Sequence, residues 1–302
     1  VIKSTLTGYA ARSSIGDALS SAPTVAQSKS QIQSLLNEAD TAPRHRFGQN
    51  FMIDQNLVRT VAAAGNITAE DLLIEVGPGT GTLTEELLAS AAKRVVAVEI
   101  DRDLAKMLRL RFVENPRFAL VEGDALSGKH ELNPDLLAQL SSPPMKLIAN
   151  LPYNIASPLV IELLLVGVDL LVFTVQKEVA DRLRATAGSD AYGPLTVMVQ
   201  MLAEVEVLRT LPPQAFWPAP KIDSALVRLT RRDRLGAQAN PFSRFVHQVF
   251  SFRRKTLRKS LSMSNFDAET VLTQTNLNGQ QRPEEFTPQE FWALFEATRA
   301  GV

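Results

Sequence analysis

The stretch from Asp71 to Glu99 constrains the fold more than any other part of the chain. Leu72-Leu73-Ile74-Glu75-Val76 is a short apolar run that stops at Gly77, the pattern of a strand buried on both faces of a parallel sheet. The loop Gly77-Pro78-Gly79-Thr80-Gly81 follows. Thr82-Leu83-Thr84-Glu85 then reads as a capping box opening a helix, with Leu83, Leu87, Leu88 and Ala91 on one face. Residues 94–98 return to a strand, and the next helix turns Leu104, Met107, Leu108 and Phe112 inward. Residues 118–121, 145–149 and 170–175 supply three further strands. Five strands separated by helical segments predict an open α/β sheet. Residues 204–211 and 224–230 are β-rich and close enough in sequence to form an antiparallel edge. Around Leu235-Gly236-Ala237 the strand pattern stops and the remainder is helical. These breaks divide the chain into a tail over residues 1–42, a sheet domain over 43–233 and a small all-helical domain over 234–302. The tail is rich in Ser, Ala, Thr and Gln, with only a short apolar pattern around Ile32 to Leu36, so it is expected to be mobile.

Composition then removes several classes of function. With 302 residues, 45% hydrophobic and 21% charged, the chain has the make-up of an ordinary globular protein. Cysteine is absent, which excludes a disulfide scaffold, thiolate metal sites and cysteine nucleophiles. The three histidines, His45, His130 and His247, are too scattered for a histidine-spaced metal motif, so no metal is expected. Glu162 and Asp169 interrupt the longest apolar stretch, residues 160–175, so no membrane span is expected. Lys+Arg and Asp+Glu both total 32, and a balanced sum hides an uneven distribution. Arg244, Arg253, Arg254, Lys255, Arg258 and Lys259 fall in sixteen residues without one acid. Val246, Val249, Phe250, Leu257 and Leu261 lie at helical spacing through the same run. A helix is therefore expected there, with Arg254–Arg258 and Lys255–Lys259 forming basic rows that suit a polyanion.

Three loops at strand ends carry chemistry. Glycines in the first loop permit a tight turn and a close approach of backbone N–H groups to a ligand. Glu99 ends the second strand, where a carboxylate can accept both hydroxyls of an adenosine ribose. The loop spacing is GxGxG rather than the GxGxxG of a nicotinamide dinucleotide enzyme. Gly123-Asp124-Ala125 follows the third strand; Asp124 can accept an adenine amine there or simply cap a helix. Asn150-Leu151-Pro152-Tyr153 follows the fourth strand. The Asn150 amide oxygen and the Leu151 carbonyl can accept from a planar amine, and Tyr153 can stack on its ring.

With these residues the chain resembles the ribosomal small-subunit adenine dimethyltransferases of the KsgA type, which are S-adenosylmethionine-dependent methyltransferases with a Rossmann-like sheet. The matching strings run in order from Phe47-Gly48-Gln49-Asn50-Phe51 through the Gly77 loop, Glu99-Ile100-Asp101, Gly123-Asp124-Ala125 and Asn150-Leu151-Pro152-Tyr153-Asn154-Ile155. They continue with Gln176-Lys177-Glu178-Val179-Ala180, Tyr192-Gly193 and Phe216-Trp217-Pro218-Ala219-Pro220-Lys221-Ile222-Asp223-Ser224, and then Phe252-Arg253-Arg254-Lys255-Thr256-Leu257. The resemblance implies a seven-stranded, mostly parallel sheet followed by a helical C-terminal domain. It implies S-adenosylmethionine, with S-adenosylhomocysteine as product, against Asn50, Met52, Gly77, Gly79, Glu99, Asp124 and Asn150. It gives Asn150, Leu151 and Tyr153 the target adenine, with Phe216 on its other face, and it gives RNA to Arg253, Arg254, Lys255, Arg258 and Lys259. Ala156 stands where the family usually has a small hydroxyl residue, and Met52 where leucine is commoner.

The implied activity is formation of N6,N6-dimethyladenosine in a hairpin near the 3′ end of small-subunit ribosomal RNA, by a cytoplasmic monomer acting on assembling subunits. Three alternatives share features of the sequence: an erythromycin-resistance methylase of large-subunit RNA, a non-catalytic assembly or mitochondrial transcription factor of the same fold, and a methyltransferase for DNA or protein amines. The intact glycine loop, Glu99 and Asn150 argue for activity, and the NLPY form together with FRRKTL favours the small subunit.

Overall fold

The computed structural model describes residues 27–128, 131–140, 144–232 and 234–299. Seven strands form the main sheet: β2 (Leu72–Val76), β3 (Arg94–Glu99), β4 (Phe118–Glu122), β5 (Met145–Asn150), β6 (Leu170–Gln176), β7 (Ala203–Leu211) and β9 (Ser224–Arg231). Their order is β4-β3-β2-β5-β6-β9-β7. The first five are parallel, and β9 runs antiparallel to both β6 and β7. All five sequence-read parallel strands and the antiparallel edge are therefore present. Every residue of β2 is buried, as its uninterrupted apolar run requires of a central strand.

The chain moves outward from β2 to β3 and β4, then crosses back to β5 on the other side of β2. That reversal leaves a crevice outside the carboxyl ends of β2 and β5, the place where open α/β sheets bind ligands. Helices α2 (Gln55–Ala64), α3 (Thr82–Ala89), α4 (Arg102–Arg111), α5 (Pro134–Gln139), α6 (Ala156–Leu165), α7 (Lys177–Leu183) and α8 (Pro194–Leu202) accompany the sheet. Two short strands, β1 (Phe51–Met52) and β8 (Phe216–Trp217), pair antiparallel beside it, with Met52 opposite Phe216.

Helices α9 (Ala239–Phe250), α10 (Leu257–Met263), α11 (Ala268–Thr275) and α12 (Pro288–Arg299) complete the described chain. Phe242, Phe245, Phe291, Leu294 and Phe295 of this bundle belong to one hydrophobic cluster with Leu147, Phe173 and Val199 of the sheet layer. The helical segment thus packs on the sheet layer through a continuous apolar cluster.

Three local expectations change. The capping box does not form: Gly81 occupies the N-cap of α3 without a side-chain bond. Thr84 instead gives its hydroxyl to the buried Glu75 carboxyl at 2.7 Å, and Glu85 pairs with Arg111. A buried acid without a partner costs more than an uncapped helix end, so the tertiary contact wins. The tail is also ordered at its inner end. Residues 29–38 form α1 (Lys29–Glu38), opened by a Ser28–Gln31 capping box, and its Ile32 and Leu36 are buried against Phe51 and Leu104. Residues 1–26 lie outside the described residues. Finally, the basic run is not one helix. The α-helix stops at Phe250, a turn spans residues 251–255, and the Thr256 hydroxyl caps α10 by accepting from the Lys259 N–H.

Candidate functional site

A cavity of about 280 Å³ opens at the carboxyl ends of β2, β3 and β5. Among its lining residues are Asn50, Met52, Gly77, Gly79, Glu99, Asp124 and Asn150, so every residue expected to hold the cofactor meets at one place. Glycine is required at two of these positions. Gly77 has φ +73°, and a Cβ there would lie 3.0 Å from the Pro152 ring; Gly79 has φ +61°, and a Cβ there would lie 2.8 Å from the Phe51 ring.

Glu99 ends β3 and is 3% exposed. Its Oε2 accepts from the Gly79 N–H at 3.1 Å and its Oε1 from the Asp101 N–H at 2.9 Å, which fixes the carboxyl against the glycine loop. Burial pushes its pKa up to about 7, against the lowering effect of those N–H groups. Glu75, one residue before the end of β2, also reaches the cavity wall. Burial raises it to about 8, partly opposed by the Thr84 hydroxyl and reinforced by nearby Glu99. At neutral pH Glu75 is mostly protonated and Glu99 is near its midpoint. Asp124 is exposed at the rim and its Oδ1 accepts from the Leu126 N–H within a turn, so it caps no helix, α5 being capped by Asn133 instead.

Asn150 is oriented from two sides. Its Nδ2 donates to the Asn50 carbonyl at 2.6 Å, and its Oδ1 accepts from the Thr174 hydroxyl. Thr174 sits opposite Asn150 in the β5–β6 register and is fully buried. The sequence reading missed it, because an interior threonine of an apolar strand carries no motif. With Nδ2 committed to a carbonyl, the amide oxygen has one lone pair left for a further donor.

Pro152, Asn154 and Ile155 line the cavity, whereas Leu151 is buried and Tyr153 stands half-buried behind them. The Tyr153 hydroxyl is 2.7 Å from the Ser224 Oγ, a bond that ties the loop after β5 to the first residue of β9. Burial raises the phenol's pKa. Phe216 does not join them. Opposite Met52 in the β1–β8 pair, it is 2% exposed and packs in one cluster with Met52, Leu57, Val58 and Leu226. The expected aromatic sandwich is not preformed.

The rim is built by residues 44–52. Arg44 pairs with Asp101 at 2.7 Å and with Asp103 at 2.5 Å, and Gln49 donates to Asp101 at 3.1 Å, so the loop before β1 is pinned to the start of α4. Arg46 is the one basic side chain among the described lining residues. A cavity with two buried carboxyls, glycine N–H groups and apolar Met52, Val98 and Ile100 suits a ligand that carries a ribose, a flat ring and a cationic centre.

A family model described as "Ribosomal RNA adenine dimethylase" matches residues 41–299. The chain belongs to the ribosomal RNA adenine dimethylase family. Among relatives, it is 43% identical to "Ribosomal RNA small subunit methyltransferase A" of Hahella chejuensis, over 82% of this chain and 90% of that protein. It is 36% identical to the protein of that name from Clostridium perfringens, over 83% and 88% respectively. Among solved structures, a dimethyladenosine transferase from Plasmodium falciparum matches with a TM-score of 0.66 and 24% identity, covering 83% of this chain and 98% of that one. The 23S rRNA methyltransferase ErmE matches with a TM-score of 0.57 and 27% identity, covering 83% and 100%. The family match begins at residue 41, just before the rim loop, and the rim, the glycine loop, Glu99 and Asn150 all lie inside it.

The basic segment of this chain folds differently from the expected rows. Arg253, Arg254 and Lys255 are exposed in the turn before α10, and Lys259 is exposed on α10. None of the four has an acidic partner among the described residues. Arg258 instead pairs with Glu269 of α11. The cations form a cluster around a turn, with Arg258 partly neutralised.

Proposed function

We propose that the protein methylates the N6 amine of adenines in small-subunit ribosomal RNA, twice per base, with S-adenosylmethionine held in the cavity at the β2–β5 crossover. The observation that carries this reading is Asn150: an amide at the end of β5, turned by Asn50 and Thr174, with an acceptor left for an incoming amine. Its support on the side of substrate is the run of relatives at 36–43% identity named small-subunit methyltransferases, against 27% for the large-subunit enzyme ErmE.

Glu99 would take the ribose hydroxyls, the Gly77 loop would approach with its N–H groups, and Met52 and Ile100 would flank the adenine ring. The cofactor supplies a methyl group on a sulfonium. The adenine amine is a poor nucleophile because its lone pair is delocalised into the ring. By accepting one amine hydrogen, the Asn150 oxygen, with the Leu151 carbonyl taking the other, would favour a pyramidal nitrogen and aim its lone pair. Orientation of this kind, rather than a strong base, provides the rate. Tyr153 would cover one face of the base. Arg253, Arg254, Lys255 and Lys259 would hold RNA phosphates and position the enzyme without reading sequence. No described helix is long and apolar enough to cross a membrane. A monomer working in the cytoplasm, where small subunits assemble, completes the reading.

The test is to incubate undermethylated small subunits with labelled S-adenosylmethionine and map the modified bases. Dimethyladenine in small-subunit RNA is expected. With undermethylated large subunits run in parallel, label confined to large-subunit RNA, or none with competent cofactor binding, would sink the assignment.

A further inference from the structure

The family match starts at residue 41, yet the segment just before it touches the cofactor cavity's most delicate element. Gln27 is 4% exposed, and its side chain bonds Thr80 of the glycine loop and also reaches the Glu85 carboxyl at the start of α3. Its Nε2 donates to the Thr80 carbonyl at 3.1 Å, and its Oε1 accepts from the Thr80 hydroxyl at 2.8 Å. The Thr80 carbonyl receives a second donor, Arg111, at 2.6 Å, and Arg111 also pairs with Glu85 on α3.

The same loop is reached by a second route. On α1, Ile32 and Leu36 pack against Phe51, whose ring lies where a Cβ on Gly79 would be. Trp217 stacks on Phe51, with ring centroids 6.3 Å apart, and the Lys29 ammonium lies over the Trp217 ring at 5.9 Å. Gln27 thus holds Thr80, and α1 presses Phe51 onto Gly79.

A glycine loop has many backbone states. Gly79 and Gly81 both adopt positive φ here, and a ligand that needs one of those states must order the loop when it binds. Pinning the Thr80 peptide beforehand removes part of that ordering cost, and the gain appears as affinity.

We propose that Gln27, with α1 behind Phe51, is a positioning element of the cofactor site that preorganises the Gly77–Gly81 loop. Residues 27–40 are therefore part of the enzyme's binding machinery rather than a leader to it. The proposal rests on the reading of the cavity as the S-adenosylmethionine site.

The experiment uses the full chain and two variants, Gln27→Ala and Gln27→Glu. The first removes both bonds to Thr80 together with the contact to Glu85. The second keeps an acceptor for the Thr80 hydroxyl but loses the donor to the Thr80 carbonyl. Calorimetry with S-adenosylmethionine, well below each variant's melting temperature, is expected to show Kd raised about five- to tenfold for Gln27→Ala, as expected for loss of two net hydrogen bonds. In steady-state methylation the rise should fall on KM for the cofactor, with kcat and the KM for subunits close to wild type. Hydrogen exchange of the Thr80 and Gly81 amides in the cofactor-free protein should accelerate in both variants. A merely structural glutamine would lower the melting temperature and leave Kd, the KM split and loop exchange untouched, and that result overturns the proposal. If the wild type itself fails to bind S-adenosylmethionine, the cofactor reading falls. Loop exchange then decides on the brace alone: unchanged rates overturn it, and faster rates in the variants uphold it.

Discussion

Replacing Glu99 with glutamine should abolish a pH dependence of cofactor binding that the wild type shows. The carboxyl is held at about 7 because burial penalises its charge. Ribose hydroxyls would donate to it, and they bind the ionised form more strongly than the neutral one. With a free-protein pKa near 7, about one-tenth of the molecules are ionised at pH 6 and about nine-tenths at pH 8. Below its pKa the group must give up a proton before it can bind in the charged form, so affinity falls as pH falls. With a neutral form that binds about fivefold more weakly, the expected change is about threefold between pH 8 and pH 6. At pH 8, Glu99→Gln loses the charge-assisted part of the bond, about 1 kcal/mol or roughly fivefold in Kd. Its affinity should then stay flat, so that variant and wild type converge in acid. Glu75, Asp101 and Asp124 lie close enough to contribute, and Glu75→Gln is the control: it should keep the slope. Calorimetry in buffers of different ionisation enthalpy reads the proton released on binding. A flat wild-type profile, or a slope that survives in Glu99→Gln, would refute the assignment of this carboxylate.

Thr174→Val removes the donor to the Asn150 oxygen while keeping the volume, and should lower kcat about tenfold at unchanged cofactor affinity, since roughly 1.4 kcal/mol of orientation corresponds to one decade; equal losses in both would indicate a distorted strand. The Glu75 carboxyl, raised to about 8, resists ionisation in the folded state, so its contribution to stability is complete below the unfolded pKa and is lost as pH rises towards 8. Urea unfolding should therefore show Glu75→Gln gaining on the wild type by a few kcal/mol between about pH 5 and pH 8, and parallel curves would contradict the buried, protonated acid. Changing Arg253, Arg254, Lys255 and Lys259 together to Gln should flatten the log–log salt dependence of subunit binding by roughly 0.7–0.9 for each phosphate that is no longer neutralised. An unchanged slope removes this turn from the RNA interface.

The sheet was legible because its strands announce themselves. Leu72–Val76 and Leu170–Gln176 are almost continuous apolar runs, and only a doubly covered strand accepts those. The cavity was legible for a related reason: glycines, Glu99 and Asn150 follow directly on strand ends, and strand ends in such a sheet converge. What escaped depends on partners far away in sequence. Thr84 and Glu85 have the spacing of a capping box, but Glu75 and Arg111 claim them once the fold is made. Thr174 and Gln27 look inert until packing brings Asn150 and Thr80 beside them. The break between α9 and α10 was hidden because Val246, Val249, Phe250, Leu257 and Leu261 keep helical spacing across it, and only Thr256, placed to cap a new helix, signals the turn. Phe216 carries the family's string, but a string does not say which way a ring faces.

The strands β6 and β9 run antiparallel with Gln176 opposite Ser224, and the Lys177 N–H donates to the Asp223 carbonyl at 3.0 Å. The chain therefore leaves β6 at residue 177 and comes back to the same spot at residue 223, after laying down α7, α8 and the edge strand β7. Between those points the chain is tied again, where β7 pairs with β9 and where β8 pairs with β1. Asn150 and Thr174 lie on the sheet side, fixed by β5 and β6. Changing the stretch from α7 to residue 223 therefore leaves the amide that would receive the amine where β5 and β6 hold it. Such a division lets one catalytic sheet be fitted to different folded RNAs by redrawing a tethered segment.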